Sequence, residues 1–448
     1  MTEKKKIDKK SVAFWALIWG LGLIGQICWN MENQWFNTFV YAKIAKNPII
    51  VSYMTAFSAV ATTFYTFFFG TLSDRTGNRR IFVSLGYIIW GVFTILFGCT
   101  QYIMDIGGSA AIIVAGVAVV LADMIMSFFG SMGNDAGYNA WANDNMTDNN
   151  RGQIGAALAT QPAIGTIIGT VIGGMLIGED QNYMRLFLVM GLIVVIFGIF
   201  SLFTLKDDPN LKPVKNGTFW QQFGSVFNFK KFFEMKELVW VNVILAVFFV
   251  GFNVYFLHLG NYMIYYLGFK EDMMGYIEAA ALVLAMFLTI PAIKLINSNK
   301  SPWVVIVCIL INVLGLGVLF FVRPENVITT TIFNPVLLIG IFLVGAGYMI
   351  VLQATLTWSK ALYPEGSKGQ FEGVRILFYV PIPMVVAPLI SNPIIMANGE
   401  FINAYGEAEY LPTHTLFIAG IIVELLAIIP TLFAKKFHDK RIAEHTVV

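Results

Sequence analysis

Long apolar segments follow one another along the whole chain, and short polar segments separate them. A helix needs about 20 mainly apolar residues to cross the roughly 30 Å hydrocarbon core of a bilayer. Twelve segments meet this requirement, so we predict an all-α membrane protein with twelve transmembrane helices. The predicted spans lie near residues 11–40, 49–70, 81–100, 110–140, 153–178, 185–205, 239–267, 273–296, 303–322, 333–358, 371–395 and 414–434.

One polar segment, residues 206–238, is much longer than the others and carries six lysines. It divides the predicted spans six and six. We therefore predict an N-terminal six-helix bundle over residues 1–205, a cytoplasmic linker over 206–238 and a C-terminal six-helix bundle over 239–448. Residues 218–235 of the linker are either a helix on the membrane surface or a solvated segment with aromatic anchors.

The distribution of lysine and arginine predicts the orientation, because cytoplasmic segments of membrane proteins are enriched in these residues. With the amino terminus inside, 23 of them lie in inner segments, 5 in outer segments and one within a span. The bias predicts a multi-pass protein with both termini in the cytoplasm. The expected location is the plasma membrane of a bacterium.

The composition agrees with a membrane protein and argues against several other classes. Asp, Glu, Lys and Arg make up 12% of the residues, about half of the share typical of soluble domains. The net charge of +2 and the lack of a long basic run argue against nucleic acid as a partner. The three cysteines lie in apolar segments, and the sequence has no nucleotide-binding glycine loop, metal-ligand spacing or nucleophile motif. We therefore expect no metal, no cofactor and no enzymatic activity, and a monomer surrounded by membrane lipid.

A short motif recurs at corresponding places in the two predicted bundles. The connection between spans four and five contains NNRGQIG, residues 149–155, and the connection between spans ten and eleven contains GSKGQFEG, residues 366–373. A basic residue, a glycine and a glutamine coincide in the two motifs. The match favours two parallel repeats related by an axis along the membrane normal, with the transport site between them.

Charged residues of both signs occupy the connection between the second and third spans. Gly70–Arg80 reads GTLSDRTGNRR, and the acidic Asp74 within it does not serve the positive-inside rule. We expect a charge network that holds the cytoplasmic side closed and breaks when the bundles move apart. Alternatively, the arginines only obey the positive-inside rule. The expected members of the network are Asp74, Arg75, Arg79, Arg80, Asp144, Asp148 and Arg151.

Gly70–Arg80 resembles the G-x-L-(S/A)-D-R-x-G-R-R signature of the major facilitator superfamily. Within that superfamily, the chain resembles the glycoside–pentoside–hexuronide:cation symporters, typified by melibiose permease, and the related sucrose transporters. Asp135–Asp148 resembles the helix-four run of the symporters, Asp144 and Arg151 match a spacing of the sucrose transporters, and Gly20–Gln26 resembles a glycine-rich stretch of helix one. The resemblance implies two pseudo-symmetric six-helix bundles and cation-coupled sugar transport by alternating access.

Several residues that act in the symporter family are replaced in this chain. The two helix-two aspartates that bind sodium there fall on Thr62 and Thr66, and the helix-five arginine falls on Thr160. The helix-one Lys-Asp pair falls on residues 26–27, which are Gln and Ile. The helix-four acid keeps its place as Asp135. We therefore expect a proton rather than sodium as the coupling cation.

Polar residues recur at three- and four-residue intervals along the fourth span. At 100° per residue they cover an arc of about 160°, which is one face of a helix. Lipid cannot satisfy such a face, so we expect it to border a wet cavity or another helix. Asp123 and Asp135 are assigned to cation coupling and Tyr138 and Asn139 to substrate binding, while the serines fit an interhelical hydrogen-bond seam equally well. The polar residues of this span are Asp123, Ser127, Ser131, Asn134, Asp135, Tyr138 and Asn139.

A second polar stripe runs along the first span, within about 80° of the helical wheel. Amides supply donors and acceptors without charge, and tryptophans supply flat apolar faces, a combination that suits a neutral sugar. Glu32 points away from this stripe, and its expected role is either cation coupling or a buried structural pair. The substrate-binding residues predicted in this stripe are Trp19, Gln26, Asn30, Asn33 and Asn37.

The seventh span carries polar residues within an arc of about 100°. His258 is either a proton-linked or substrate-contacting group, because histidine changes charge near physiological pH, or a neutral hydrogen-bonding group. The substrate-binding residues predicted in the second half are His258, Asn261, Tyr262 and Gln353.

Charged residues also occur in the last two spans. Glu372 and Arg375 begin the eleventh span, and they are expected either to gate the second half or to anchor the helix terminus at the membrane surface. Glu424 lies in the middle of the twelfth span, and no partner for it is evident from the sequence.

Together these patterns predict a secondary active transporter that takes up a neutral sugar or glycoside with a cation, most simply a proton, by alternating access. Carboxylic acids at Asp123, Asp135 and Glu32 supply titratable positions within the spans. The alternative is an exporter or facilitator of amphipathic small molecules, because the same fold serves many substrates. The amide stripe of the first span favours the sugar.

Overall fold

A computed structural model describes residues 12–147, 150–209, 211–227, 229–297, 300–364 and 368–446. Within these ranges, twelve helices are long and apolar enough to cross a membrane, which confirms the number predicted from the sequence pattern. The helices are α1 Val12–Ile44, α2 Pro48–Thr76, α3 Arg79–Ile106, α4 Gly108–Asp144, α5 Arg151–Ile177, α6 Tyr183–Thr204, α7 Lys236–Tyr266, α8 Glu271–Ile296, α9 Ser301–Phe320, α10 Pro335–Ala361, α11 Phe371–Ala397 and α12 Thr415–Glu444.

Several of the twelve helices contain a segment with wider or tighter turns. Helices α1 and α7 both end in a five-residue π-helix, at Val40–Ile44 and Tyr262–Tyr266. Helix α4 has an eight-residue π-helix in its interior, Ser131–Tyr138, and α3 ends in the 3₁₀-helix Thr100–Ile106. Because π-helical turns are rare and often mark functional sites, the interior segment of α4 is a candidate site.

Two helices near the carboxyl end are divided. The eleventh consists of Lys368–Tyr379 and Pro381–Ala397, and the twelfth of Thr415–Leu426 and Ile428–Thr446. A proline lacks the N–H that continues a helix, so Pro381 accounts for the division in α11.

The connections contain short elements. The polar segment 206–238 forms two helical turns, Phe219–Gly224 and Phe229–Glu234, instead of one continuous helix. A 3₁₀ turn covers Pro324–Asn326, and a two-stranded antiparallel hairpin, β1 Phe401–Ile402 and β2 Ala408–Glu409, joins α11 to α12.

The chain divides into two compact units. The first comprises Met1–Phe36 and Val60–Gly224, and the second comprises Asn37–Ala59 and Ser225–Val448. The division passes through α1 and α2, so that the end of α1 and the beginning of α2 belong to the second unit. There Lys46 pairs with Glu409 of the β2 strand, their side chains 3.7 Å apart.

Helices of the first unit approach closely at glycines. A Cβ atom on Gly91 of α3 would lie 2.5 Å from the carbonyl oxygen of Gly191 on α6. A Cβ on Gly86 of α3 would lie equally close to the backbone of Gly133 on α4. Small residues at such crossings are typical of membrane helices, where packing rather than hydrophobic burial holds helices together.

The second unit uses the same device together with polar side chains. A Cβ on Gly315 of α9 would lie 2.8 Å from the backbone nitrogen of Val344 on α10. Nearby, the Asn312 amide donates to the Val344 carbonyl at 3.2 Å. Interhelical amide bonds of this kind stabilise a bundle at membrane depth.

Candidate functional site

The π-helical segment of α4 brings polar groups against α1, α2 and α3. Asn134 is fully buried, donates to the Tyr87 hydroxyl at 2.7 Å and accepts from the Trp29 indole at 3.3 Å. Tyr87 in turn donates to the Leu21 carbonyl at 2.7 Å. The nitrogen and the oxygen of the Asn134 amide therefore both bond to neighbouring helices. This is an interhelical hydrogen-bond seam, the alternative considered for the serines of this span.

Asp135 has different surroundings from its neighbour Asn134. It is half-buried, and the Thr66 hydroxyl lies 3.5 Å from its Oδ2 atom. The Asn139 amide donates to its backbone carbonyl rather than to its carboxylate. Asp135 is thus a half-buried acid at the π-helical segment, next to Thr66.

Two further carboxyl groups lie deep in the first unit. Asp123 is 1% exposed and Glu32 is 8% exposed. The Ser127 hydroxyl, one turn along α4 from Asp123, donates to Oε1 of Glu32 at 3.0 Å. Glu32, which accepts from Ser127, and Asp123, one turn before Ser127 on α4, are called the acid pair below. Within the described residues, no group of three or more His, Cys, Asp or Glu side chains could hold a metal ion.

Part of the polar stripe on α1 packs against α4 and α5. The Tyr138 hydroxyl lies 2.6 Å from the Ile18 carbonyl oxygen and 3.2 Å from Oε1 of Gln161. The Gln161 amide also donates to Ile18, at 2.9 Å. Tyr138, which the sequence assigns to substrate binding, is buried and holds α1 against α4 and α5.

The amides of α1 have unequal environments. Asn30 is buried, accepts from Thr170 at 3.4 Å and packs so closely on Gly169 that a Cβ there would lie 2.6 Å away. Asn33 is half-buried and donates to the Trp29 carbonyl of its own helix at 2.7 Å. Among the predicted substrate-binding residues of α1, the accessible side chains are Trp19, Gln26 and Asn33.

Asn37 and Asn261 lie together in the second unit, near the ends of α1 and α7. The Asn37 amide donates to the Leu257 carbonyl at 3.1 Å, and the Asn261 amide donates to the Asn37 carbonyl at 3.3 Å. Both side chains are almost fully buried. These two bonds, called the asparagine pair below, join the ends of α1 and α7.

The remaining residues predicted in the second half are mostly packed. His258 is fully buried, and its Nε2 lies 3.4 Å from the Ser391 hydroxyl of α11. Tyr262 donates to the Val322 carbonyl at 3.1 Å. Gln353 on α10 is half-buried. Ser391 was not among the predicted residues, since a serine in an apolar helix carries no distinctive pattern.

The charged connection after α2 folds around one arginine. Arg79 is buried, and its guanidinium contacts Asp74 at 2.7 Å, Asp144 at 2.8 Å and the Ser73 hydroxyl at 2.7 Å. Asp74, Arg79 and Asp144 form what is called the Arg79 charge network below. It joins α2, α3 and α4 within the first unit.

The other charged residues of this region bind the connection that follows α6. The carboxylate of Asp207 accepts from the backbone N–H groups of Arg79 and Arg80, both at 2.9 Å, and so caps the start of α3. Arg75 donates to the Gly217 carbonyl at 2.9 Å. Arg151 is exposed, and Asp148 lies outside the described residues. Asp207 was missed in the sequence because it is distant along the chain.

Glu372 and Arg375 pair within α11. Nη2 of Arg375 lies 2.6 Å from Oε1 of Glu372, and Nε donates to Oε2 at 3.1 Å. The Tyr363 hydroxyl, from the connection before α11, donates to Oε2 at 3.0 Å. Burial and the adjacent Glu372 carboxylate raise the pKa of Tyr363, which keeps it a protonated donor.

Two further buried acids have partners that the sequence did not reveal. Glu237 on α7 accepts from the Trp358 indole at 2.8 Å and pairs with Arg441 of α12 at 2.9 Å. Glu424, fully buried in α12, accepts from the Tyr255 hydroxyl at 3.2 Å. Both contacts join helices distant in sequence, so no local pattern could have indicated them.

Comparisons with known proteins agree with this architecture. The model of a family described as the Major Facilitator Superfamily matches residues 19–388. No protein of curated function matches the chain by sequence.

Solved transporter structures also superimpose on the chain. A variant of the nucleoside transporter NupG aligns with a TM-score of 0.71 at 10% identity, over 93% of this chain and 99% of its own. A D-xylose-proton symporter aligns with a TM-score of 0.67 at 13% identity, over 95% and 98%. An occupied, inward-facing bacterial homologue of the human lysosomal transporter Spinster aligns at 0.65 and 16% identity, over 96% and 98%. At these identities the similarity is evidence of the fold alone.

Proposed function

The chain belongs to the Major Facilitator Superfamily, and on this basis we propose that it carries a neutral saccharide or glycoside across a membrane in symport with a proton. The family makes it an integral, multi-pass transporter of small molecules rather than an enzyme. The identity of the solute, the coupling ion, the direction of transport and the orientation in the membrane are proposals. We propose inward transport, with both termini in the cytoplasm of a bacterium.

The half-buried Asp135, with its carboxylate beside the Thr66 hydroxyl, is the observation that carries the proposal of cation coupling. Its position at a π-helical turn and beside Thr66 supports a site that can be reached by an ion. Sodium prefers several oxygen ligands, whereas among the described residues one hydroxyl, that of Thr66, lies within hydrogen-bonding range of the Asp135 carboxylate. A carboxylate with so few oxygen partners suits a proton better than a metal cation.

The acid pair is the second element of the proposed coupling. Glu32 and Asp123 are almost fully buried, and carboxyl groups in such surroundings are expensive to leave charged. A proton that enters at Asp135 has further acceptors deeper in the same unit. We assign the acid pair to proton coupling, together with Asp135, in line with a distant likeness to the melibiose permease family.

The proposed solute follows from the accessible side chains of the first unit. Trp19 is 39% exposed, and the amides of Gln26, Asn33 and Asn139 are half-buried. Neutral donors and acceptors beside an indole face match the hydroxyl groups and the apolar ring face of a sugar. The D-xylose-proton symporter with the same fold is consistent with this solute class.

An aromatic cluster favours the alternative, an exporter or facilitator of amphipathic molecules. Phe69, Met132 and Ala136 form a buried apolar cluster next to Asp135, and the rings of Tyr65 and Phe128 pack against it with centroids 4.3 Å apart. An apolar surface beside a carboxylate suits a lipophilic cation as well as a sugar.

Transport by protein reconstituted in lipid vesicles tests the proposal. We expect radiolabelled sucrose, melibiose or D-xylose to accumulate when the vesicle interior is alkaline, and not without a pH gradient. Asp135→Asn should abolish accumulation but retain sugar exchange at equal concentrations, because exchange needs no net proton movement. Asp105→Asn, which makes the same change at an exposed position, is the control.

The outcomes separate the two solute classes. Wild-type accumulation by the Asp135→Asn variant would remove Asp135 from coupling. If none of the sugars is transported while an aromatic cation moves against its gradient, the alternative function replaces the proposed one.

A further inference from the structure

The division of α11 leaves backbone oxygens without their usual donors. Pro381 and Pro383 have no N–H, so the carbonyl groups of Leu377 and Tyr379 lose the helical bond from four residues ahead. Val380 between the two helical pieces has φ −111° and ψ −73°. In transporters of other folds, interrupted helices of this kind expose backbone groups to substrates near the middle of the membrane.

A buried guanidinium lies one turn before this division. Arg375 is 7% exposed, and its Nε and Nη2 atoms bind Glu372. Its Nη1 atom is buried without a hydrogen-bond partner among the described residues. An unpaired buried donor is costly, and a ligand oxygen would satisfy it. The guanidinium carbon lies 5.6 Å from the centroid of the Tyr379 ring.

Aromatic rings from three helices surround the same place. Tyr379 of α11 and Tyr348 of α10 are half-buried. Two buried phenylalanines of α7 support them. Phe249 meets the Tyr379 ring edge-on at 4.7 Å, and Phe252 stacks on Tyr348 at 4.5 Å. The tyrosines are thus held in position with part of their surface uncovered.

We propose that Tyr348, Tyr379 and Arg375 form a glycosyl-binding subsite in the second unit. A sugar ring packs its apolar face on the tyrosines, one hydroxyl accepts from Nη1 of Arg375, and others donate to the carbonyl oxygens at the division of α11. Because Glu372 balances the charge of Arg375, the subsite takes a neutral sugar rather than a sugar phosphate. The inference rests on the proposed function and adds residues that the sequence did not assign to binding.

Binding to the purified full-length protein in detergent tests the subsite. The probes are sucrose, melibiose, D-xylose and p-nitrophenyl α-D-galactoside, with glucose 6-phosphate as the anionic comparison, titrated by calorimetry. For the neutral sugar that binds the wild type, Tyr379→Ala should raise the Kd by about tenfold, and Tyr379→Phe by less than about threefold. Arg375→Lys should also raise it by about tenfold, since lysine lacks the planar fork that holds Glu372 and a ligand together.

Tyr53→Ala is the matched control, because Tyr53 is 58% exposed on α2 and should leave the Kd unchanged. Circular dichroism verifies folding, and Arg375→Lys carries the test should Tyr379→Ala be unfolded. Wild-type affinity in the folded Tyr379→Ala and Arg375→Lys proteins overturns the subsite while the proposed function stands. Tighter binding of glucose 6-phosphate than of any neutral sugar overturns the solute class. If the wild type binds none of the neutral sugars, the proposed function itself fails.

Discussion

Single carboxyl groups in the first unit differ in their surroundings more than in their chemistry. Asp135 is half-buried beside a threonine, whereas Glu32 and Asp123 are buried, and Glu32 accepts from Ser127, one turn after Asp123 on α4. The sequence placed Asp123 and Asp135 on one helical face, but helical spacing carries no information about depth of burial. Their separation into a half-buried acid and a buried pair required the packing of α1 and α2 against α4.

Arg79 is the residue on which the Arg79 charge network depends. Its guanidinium binds two carboxylates and a hydroxyl, whereas Asp74 is 47% exposed. We expect Arg79→Ala to lower the free energy of unfolding by about 2 kcal/mol, because it leaves charged partners unpaired. Asp74→Ala should cost less than about 1 kcal/mol, since an exposed partner regains water. Denaturant unfolding of the purified protein in mixed micelles measures both.

Lys212→Ala is the control for the loss of a positive charge, because Lys212 is exposed in the connection after α6. Equal destabilisation by Arg79→Ala and Lys212→Ala would mean that the network contributes nothing to stability.

The spanning helices themselves were readable from the sequence, because length and hydropathy alone decide whether a segment can cross a bilayer. Their interruptions were not readable. The π-helix Ser131–Tyr138 coincides with a run of polar residues that the helical wheel treated as regular. A widened turn depends on contacts with neighbouring helices, which a one-dimensional pattern does not contain. The burial of Asn30 could not be predicted either, because it depends on the close contact of Asn30 with Gly169 of α5.

The close approach of α3 and α4 leaves no room for an added side chain, so a larger residue there should destabilise the protein. A Cβ at Gly86 would lie 2.5 Å from the Gly133 backbone, where no flexible side chain can move aside. We expect Gly86→Ala to lower the free energy of unfolding by about 1–3 kcal/mol. Gly317→Ala in α9 is the control, since a Cβ there meets nothing within 4 Å. It should be neutral or slightly stabilising, because alanine favours helix.

Unfolding in mixed micelles, followed by tryptophan fluorescence, compares the two glycine variants. If Gly86→Ala proves as stable as Gly317→Ala, the close approach of α3 and α4 is not a tight contact in the folded protein.

At the scale of the whole molecule, the two halves of the sequence share a recurring feature. Helices α1 and α7 are both the first of their predicted bundle, and both end in a five-residue π-helix, which begins three residues after Asn37 in α1 and directly after Asn261 in α7. This similarity extends the repeat that the sequence suggested from two short motifs. The bonds from Asn37 to Leu257 and from Asn261 to Asn37 could not be predicted, because more than 200 residues separate the partners.

If the proposed transport proceeds by alternating access and the ends of α1 and α7 separate at one stage of the cycle, the asparagine pair opposes that separation. Each amide donates to a backbone carbonyl, so each Asn→Ala substitution removes one bond and leaves the other intact. A lost bond of about 0.5–1.5 kcal/mol shifts a two-state equilibrium by roughly 2- to 10-fold. Asn37→Ala and Asn261→Ala should therefore speed maleimide labelling of a cysteine placed at the buried Ala45 by that factor, in a background without native cysteines.

Asn242→Ala is the matched control, because Asn242 is also buried on α7 but donates to the Leu238 carbonyl of its own helix. Its substitution removes an equivalent bond without freeing α1 from α7, so the labelling rate at position 45 should not change. If all three substitutions speed labelling equally, the effect reflects general loosening of α7. The asparagine pair then has no part in the conformational cycle, and the bond between α1 and α7 serves packing alone.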